Sequence, residues 1–421
     1  INIKTLDLSY KGIGSTGLAA LLWALGNQTS LRWIDLSRND GINHELEALL
    51  GSWNQRTEIN FHCQLSRPLF PDLQYLNLSE CGLDVSSCLW WLTALHPWED
   101  REYKDHNEVH KENYYHEKRR DSKLILKLNG NNLGSDGFQN EATIDYQTSP
   151  FKKLTEFFGT KSCHYVDEIQ FSNCNLNDVD LKLISDCWFT AIPSSPSNKI
   201  DPQATIGDAQ ISHTRVLDLS QNSFTSDGLV YLSDQLSRHV MDHDINCDGN
   251  KPLYMTQLSS LLFENLQKLN LGGNRFSDES CGQFASAICR LKRVGCFNQF
   301  RELDMSRTNC GVHAAVKLID ECRLTNLNLF GNSLDAGNFA QIAQVLVGGH
   351  PILETLDLGG NISSETGVVA LLQSFLTPPP PEKEKNALQL LVVVGNKSGP
   401  TVESMVGKVQ KIHPYLDIAR D

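Results

Sequence analysis

The residue types of a calcium site occur together near residue 244. The opening of an EF-hand loop is matched by Asp244, Asn246, Asp248 and Gly249. Such a loop offers carboxylate and amide oxygens at alternate positions and closes on a bidentate glutamate at its twelfth position. That position is Met255 here, whose thioether cannot act as the closing ligand. The segment therefore predicts a polar loop and no metal site.

The polar segment 96–121 combines histidines with aromatic and charged side chains. Its histidines include His106, His110 and His116. A structural zinc site needs four ligands at a regular spacing, and this segment has no cysteine pair to complete one. Its aromatic residues are of the type that is enriched at protein interfaces. Two interpretations stay open, a loop that contacts a partner and a solvated charged loop.

Catalytic signatures are missing from the sequence. Nothing matches a nucleophile elbow, a phosphate-binding glycine loop, a zinc-protease helix or a kinase signature. We therefore predict that the protein is not an enzyme and has no catalytic, cofactor-binding or metal-binding residues. The 12 cysteines are scattered without a CxxC pair, which is unlike a disulfide framework. A reducing compartment is expected, either the cytoplasm or the nucleus.

The composition excludes several classes of protein. Hydrophobic residues make up 40% of the 421 residues and charged residues 21%, which is enough apolar surface to build a core. Because no apolar run approaches the roughly 20 residues that span a bilayer, no membrane insertion is expected. The net charge of −13 argues against nucleic-acid binding, which calls for clustered Lys and Arg. If charge contributes to recognition, the partner is basic.

A recurring segment supplies the elements that must position any functional side chain. Its form is Leu-x-x-Leu-x-Leu-x-x-Asn, and about eleven copies run through the chain, some of them weaker. The clearest copies are 31–39, 216–222, 266–274, 324–332 and 353–361. The Leu-x-Leu alternation predicts a short strand with apolar side chains on one face. The Asn can satisfy backbone groups of neighbouring coils, and it is replaced by weaker partners at Cys81, Cys174 and Thr308.

A turn and an amphipathic helix are expected after each strand. Ser, Thr and Asp in segments such as 14–17, 225–228 and 335–337 are good helix N-caps. An apolar stripe on each helix should face the strands. The stripe predicted for the first helix consists of Leu18, Leu21, Leu22 and Leu25. The stripe predicted for a last helix, before an edge strand, consists of Val402, Met405, Val406, Val409 and Ile412.

The turn position alternates between Asn and Cys, in Asn39, Cys81, Asn131, Cys174 and Asn222. This pattern resembles the ribonuclease-inhibitor-like class of leucine-rich repeats, which includes ribonuclease inhibitors, Ran GTPase-activating proteins and the repeat domains of NOD-like receptors. The resemblance covers nearly the whole chain. It implies an α/β solenoid, a horseshoe with a parallel concave sheet and convex helices. Such a motif specifies fold far better than function.

The repeats differ in length because polar segments interrupt them. We predict a leucine-rich-repeat array over residues 1–399 and a C-terminal capping segment over 400–421. The interrupting segments are predicted to form loops outside the stacked core, near 96–121, 140–153, 193–213, 239–252 and 377–387. The chain opens directly on a predicted strand, so we expect it to be part of a larger chain or complex.

The residues between the strand leucines should point to the concave face, and they are the candidate partner-binding residues. Trp33 and Tyr75 are the candidate aromatic anchors, and the acidic residues would attract a basic partner. The complete predicted set is Trp33, Asp35, Tyr75, Asn77, Glu168, Gln170, Asp218, Asn270, Asp304, Asn328 and Asp357. The competing interpretation is that these residues are typical of the repeat and that the face is solvated.

Together these patterns predict a scaffold or recognition module that holds a protein partner with its concave face and insertions. One alternative is a GTPase-activating protein that resembles the Ran activators. Those activators usually carry an acidic tail, which this chain lacks after Ile412, and no catalytic residue can be transferred from them. The other alternative is a sensor or autoinhibitory repeat domain of a larger multidomain protein.

Overall fold

Strands and helices alternate along the chain as the repeat predicts. The computed structural model describes residues 3–25, 30–42, 70, 72–95, 123–134, 150–159, 166–189, 214–244, 265–293, 295, 297–377 and 386–420. The chain divides into two compact units. The first consists of Ile1–Asp218 with Thr256–Phe263, and the second of Leu219–Met255 with Glu264–Asp421.

The first unit contains parallel strands that neighbour one another in chain order. Its strands are β1 (Thr5–Asp7), β2 (Trp33–Asp35), β3 (Tyr75–Asn77), β4 (Leu124–Lys127), β5 (Val166–Gln170) and β6 (Val216–Asp218). Its helices are α1 (Ser15–Leu25), α2 (Val85–Leu95), α3 (Pro150–Gly159) and α4 (Asp178–Phe189). This order of parallel strands, with helices between most of them, is that of the predicted leucine-rich-repeat solenoid.

The second unit has the same organisation. Its strands are β7 (Lys268–Asn270), β8 (Glu302–Asp304), β9 (Asn326–Asn328), β10 (Thr355–Asp357), β11 (Leu390–Val392) and β12 (Asp417–Ala419). Its helices are α5 (Ser226–Asp244), α6 (Asp278–Arg293), α7 (Val312–Asp320), α8 (Ala336–Val345), α9 (Glu365–Ser374) and α10 (Pro400–Ile412). The edge strand expected after the last helix is confirmed as β12.

The strand leucines form the core of each unit. Ile34, Leu76 and Leu269 at the strand centres are at most 3% exposed, whereas their neighbours on either side are half-buried or exposed. This alternation follows from the two-residue period of a strand. Each fully buried leucine-type side chain contributes about 1.5–3 kcal/mol relative to an exposed one. Burial therefore dictates which side chains remain on the other face.

Two helical residues predicted to face inward do not. Leu21 is half-buried, because it lies at the edge of the α1 stripe whose centre is formed by Leu18 and Leu22. Ile412 is 55% exposed, because it is the last residue of α10. The remaining members of the α10 stripe are buried, at Val402, Met405, Val406 and Val409. The predicted N-cap at Asp335 is confirmed, since its side chain accepts from the Asn338 amide in a capping box.

Two of the predicted insertions are partly helical. The first residues of α3, Pro150 to Lys153, belong to the segment 140–153, and α5 extends into the segment 239–252 as far as Asp244. At the start of α3 the polar composition reflects an amphipathic helix, since Phe151 is buried and Lys153 is exposed. The segments 96–121 and 193–213, most of 377–387 and the rest of the calcium-like run lie outside the described residues.

Buried asparagines join neighbouring coils at the strand ends, as predicted. The Asn131 amide nitrogen donates to the carbonyls of Leu128 and Leu78, both at 2.8 Å. Its oxygen accepts from the amides of Cys81 and Leu83 at 3.1 and 3.0 Å. Similar bonds are made within the two units by Asn39, Asn274, Asn332, Asn361 and Asn396. One side chain thus satisfies backbone groups of two coils.

Thiols and a hydroxyl replace asparagine in some repeats and make fewer bonds. The Cys81 and Cys174 thiols each donate to a carbonyl of the preceding coil, Leu36 and Leu128, at 3.1 Å. Burial raises the pKa of Cys81 to about 11 and that of Cys174 to about 12, so both stay protonated donors. Thr308 donates to Met305 at 2.6 Å. These residues are weaker partners than asparagine, as predicted from the sequence.

Candidate functional site

The open strand face of each unit is formed by the residues that alternate with the buried leucines. In the first unit, strand register arranges these residues in two columns. The first column is Thr5, Trp33, Tyr75, Ile125, Glu168 and Val216. The second column is Asp7, Asp35, Asn77, Lys127, Gln170 and Asp218. All the predicted binding residues of this unit therefore lie on one face, and each is half-buried.

An aromatic pair lies on the open strand face of the first unit. The Trp33 and Tyr75 rings stack with centroids 4.9 Å apart and an interplanar angle of 10°. The spacing matches the roughly 4.8 Å between neighbouring strands, so register alone brings the two rings together. The Lys127 ammonium lies 5.5 Å from the Tyr75 centroid, within cation–π range. We refer to Trp33 and Tyr75 as the aromatic stack.

Carboxylates lie near the aromatic stack, in addition to the Lys127 ammonium. Burial raises the pKa of the Tyr75 hydroxyl, and the carboxylates of Asp35, Glu168 and Asp7 raise it further, against a lowering by the hydrogen bond with Asn77. A carboxylate can raise the pKa of a phenol only when it lies close enough to repel the phenolate. The stack is therefore an apolar surface in an acidic setting.

The polar residues of the second column close the turns after their strands. Asp35 Oδ1 accepts from the Ser37 amide at 2.9 Å and from its hydroxyl at 2.6 Å. The Asn77 amide nitrogen donates to Asp35 Oδ2 at 2.9 Å. Side chains that hydrogen-bond the backbone two residues later favour this turn wherever the repeat occurs. Asp35 and Asn77 thus stabilise the strand ends, whether or not they contact a partner.

The predicted residues at the far strands of the first unit form a local network. The Asn129 amide nitrogen donates to Gln170 Oε1 at 2.8 Å, and Gln170 Nε2 donates to Glu168 Oε1. This chain of bonds orients the Glu168 carboxylate on the open strand face.

The second unit presents paired charges on its open strand face. Lys268 and Glu302 form an ion pair at 3.4 Å, in the column position that Trp33 and Tyr75 occupy in the first unit. The predicted binding residues of this unit are Asn270, Asp304, Asn328 and Asp357, all half-buried. Each accepts from the amide two residues later, at 2.7 to 3.0 Å. The Asn328 amide nitrogen also donates to Asp304 Oδ2 at 2.7 Å.

One predicted carboxylate is partly desolvated. Burial raises the pKa of Asp357, and the charge of Asp304 raises it further, while the hydrogen bond from the Gly359 amide lowers it. The pKa of Asp357 is therefore above its ordinary value, so the folded protein disfavours the charged form of this side chain.

Left-handed residues follow the strands, and sequence reasoning missed them. Tyr10, Arg38 and Glu80 of the first unit have φ of 57°, 59° and 55°. Tyr10 is 80% exposed, and Arg38 and Glu80 form an ion pair at 3.2 Å. Glycine occupies the corresponding position in several other repeats, for example Gly130 and Gly331. The glycines at this position were the sequence signal for a left-handed backbone, since a non-glycine residue is strained in this conformation.

The part of the chain that the structure describes holds no group of three His, Cys, Asp or Glu side chains placed to bind a metal ion. Within the same residues, no helix has the length and apolar character required to cross a membrane. The cysteines in the described ranges form no disulfide, and all of them are buried except Cys187, which is half-buried.

Comparison with known proteins agrees with the repeat pattern. Residues 265–289 match the family model described as Leucine Rich Repeat. These residues contain β7 and most of α6, one complete strand–turn–helix unit. The match is limited to this span, and the parallel strands, alternating helices and asparagine turns of both units are those of a leucine-rich-repeat solenoid. No curated protein matches the sequence.

Two solved structures align with this chain at low identity. The mouse RP105/MD-1 complex contains a chain with 15% identity and a TM-score of 0.40. The alignment covers 98% of this chain and 50% of the mouse chain, so this chain spans half of the mouse chain's length. An internalin from Listeria monocytogenes has 11% identity and a TM-score of 0.35, with 96% of this chain and 82% of the internalin covered.

Proposed function

We propose that this protein is a recognition module that binds a protein partner on the open strand face of its first unit. The observation that carries the proposal is the aromatic stack. Trp33 and Tyr75 lie side by side, each only half-buried, on a face that also carries polar and charged side chains. Rigid aromatic side chains of this kind supply most of the free energy at many protein interfaces.

The geometry ranks the predicted binding residues. The rings of Trp33 and Tyr75 have apolar surface whose contact with water is unfavourable. A partner that covers this surface therefore gains binding free energy. Glu168 is oriented by Gln170 and is the best placed acidic contact. The turn-closing residues, Asp35 among them, already have hydrogen-bond partners within the chain and would add less.

Affinity capture with crosslinking from native cells tests the proposal. The Trp33→Ala/Tyr75→Ala variant should lose at least about 30-fold in affinity for the captured partner, because it removes two anchors. The matched control is Lys268→Ala/Glu302→Ala, at the same column of the second unit, which should bind normally. A variant that adds Asp218→Ala to the aromatic pair tests whether the last residue of the second column contributes to binding.

Circular dichroism and urea unfolding of each variant separate loss of binding from loss of structure. A folded Trp33→Ala/Tyr75→Ala variant that binds as tightly as wild type contradicts the proposal. Equal losses in both double variants also contradict it, because the two open strand faces would then be equivalent.

Three further features belong to the same proposal. We infer the ribonuclease-inhibitor-like subclass from the helices that follow most strands and from the Asn and Cys turns. We expect a basic partner because of the net charge of −13 and the carboxylates around the stack. A role in binding rather than catalysis, inside the cell, is the expectation that accompanies them.

A further inference from the structure

The aromatic stack has two ends, and they differ. At one end the Lys127 ammonium covers the Tyr75 ring at 5.5 Å. At the other end strand register places Thr5 beside Trp33. Thr5 is exposed, and its side chain is too small to cover the face of an indole. Among the described residues, no cation lies over the outer face of Trp33, whereas Lys127 lies over the ring of Tyr75.

Carboxylates flank this open end. Asp7 and Asp35 are paired in register on β1 and β2, next to Thr5 and Trp33. Both oxygens of Asp35 accept hydrogen bonds, from Ser37 and from Asn77. Asp7 differs, because its Oδ1 accepts from Ser9 while no described residue donates to its Oδ2. Two like charges on neighbouring strands, one with a free oxygen, favour a cation.

We propose that the outer face of Trp33, above Thr5, is a slot for an arginine side chain of the protein partner. The guanidinium plane stacks on the indole, and one of its N–H groups donates to Asp7 Oδ2. The inference rests on the proposed function, since it names the chemistry of the partner at that surface. We call the site, formed by Thr5, Asp7 and Trp33, the arginine slot.

Arginine fits this site better than other groups do. Its guanidinium is planar and weakly hydrated, so it can occupy the next layer of a stack, about one strand spacing from Trp33. It also donates in its own plane, which permits stacking and hydrogen bonding at once. A lysine ammonium can lie over the ring but cannot continue the stack. An aromatic side chain can stack but brings no positive charge to the two carboxylates.

Fluorine NMR on the full chain tests the slot directly. The chain carries 7 tryptophans, and the 5-fluorotryptophan signal that disappears in Trp33→Phe belongs to Trp33. Titration with N-acetyl-arginine amide should shift that signal selectively. N-acetyl-citrulline amide has nearly the same shape without the charge and should bind at least about tenfold more weakly. N-acetyl-lysine amide should fall between them.

Variants of Thr5 and Asp7 test whether the arginine-dependent shift arises at the arginine slot. Thr5→Phe fills the slot with the chain's own ring and should abolish the arginine-dependent shift, whereas Thr5→Ala leaves the slot open and should retain it. Asp7→Asn should weaken arginine binding by about fivefold or more, as expected for loss of a charge-assisted hydrogen bond. Asp304→Asn, in the second column of the second unit, is the matched control and should change nothing.

The outcomes separate this inference from the proposed function. Equal responses to arginine and citrulline, equal responses to arginine and lysine, or no Trp33 response overturn the arginine slot. If such a result accompanies loss of partner binding in Trp33→Ala/Tyr75→Ala, the proposed function stands and only the slot is wrong. If arginine binds as expected but the captured partner ignores the double substitution, the slot stands and the proposed function is wrong.

Discussion

The two units use the same repeat and differ in what they leave on its surface. In the first unit, Trp33 and Tyr75 stack on the open strand face. At the same column of the second unit, Lys268 pairs with Glu302. The two charges of a solvated ion pair already interact with each other and gain little from a partner, whereas a half-buried aromatic face gains free energy when the rest of it is covered. The same backbone thus carries an aromatic pair in one unit and an ion pair at the same column in the other.

The left-handed position after each strand shows a related difference. The first unit has Tyr10, Arg38 and Glu80 there, while the second has glycine at most equivalent positions, for example Gly273 and Gly360. A left-handed conformation costs a non-glycine residue about 1–2 kcal/mol. Strain of this kind concentrates at functional sites. The first unit thus keeps side chains at these three positions at a cost in backbone strain.

The largest expected effect tests what the units share. Asn131→Ala in the first unit and Asn361→Ala in the second each leave buried amides and carbonyls of two coils without a partner. We expect each to lower the free energy of unfolding by at least about 3 kcal/mol, measured by urea denaturation. Asn132→Ala, at an exposed neighbour, is the control and should cost little. A loss below about 1 kcal/mol at either buried site would show that the coils are joined differently.

A smaller effect is expected at the left-handed positions. Tyr10→Gly should raise the free energy of unfolding by about 0.5–1 kcal/mol, because relief of strain exceeds the added chain entropy of glycine. Tyr10→Ala keeps the strain and serves as the control. Arg307→Gly in the second unit should gain less, since it also removes the guanidinium that lies 5.2 Å from the Phe330 ring. Destabilisation by Tyr10→Gly would mean that the Tyr10 side chain packs favourably and that the backbone argument fails.

The smallest effect concerns Asp357 of the second unit. Its pKa is raised in the folded state, so its protonated form stabilises the fold below the unfolded pKa and this contribution is lost as the pH rises through the folded pKa. Asp357→Asn keeps the acceptor for the Gly359 amide and removes the charge. We expect a higher melting temperature than wild type at pH 7 and no difference near pH 3, measured by calorimetry.

Asp35→Asn provides the comparison in the first unit. Both carboxylate oxygens of Asp35 accept hydrogen bonds, so the amide must give up one acceptor and should not stabilise the protein. A gain at pH 7 for Asp35→Asn as large as that for Asp357→Asn would show that general charge repulsion, rather than burial of one carboxylate, is responsible.

Much of the fold could be predicted from the sequence because its signals are local. The Leu-x-Leu period identifies strands such as β2 and β7, and the Asn three residues later identifies the turn, as at Asn274. The sequence predicted helix boundaries less accurately. Residues Pro150 to Lys153 were assigned to a polar loop, although they begin α3. A polar run and the exposed side of an amphipathic helix have similar composition.

The candidate site was predicted less completely. Sequence reasoning placed Trp33 and Tyr75 on one face, but the aspartates and asparagines beside them turn out to close strand turns, as Asp304 and Asn328 do. It also missed Tyr10, whose neighbours in sequence do not reveal a left-handed backbone. A residue's type states what it can bind, whereas its surroundings decide which of those bonds are already made.

By itself, the sequence determined the repeating strand, the asparagine turn and the inward face, because each depends on residues within one repeat. Only the tertiary structure decided that Trp33 lies against Tyr75 with Lys127 at one end and Thr5 at the other. These residues come from repeats separated by segments of very different length. These differences in length do not affect how the strands pair. Strand register depends on backbone hydrogen bonds and buried leucines and not on the length of the connection.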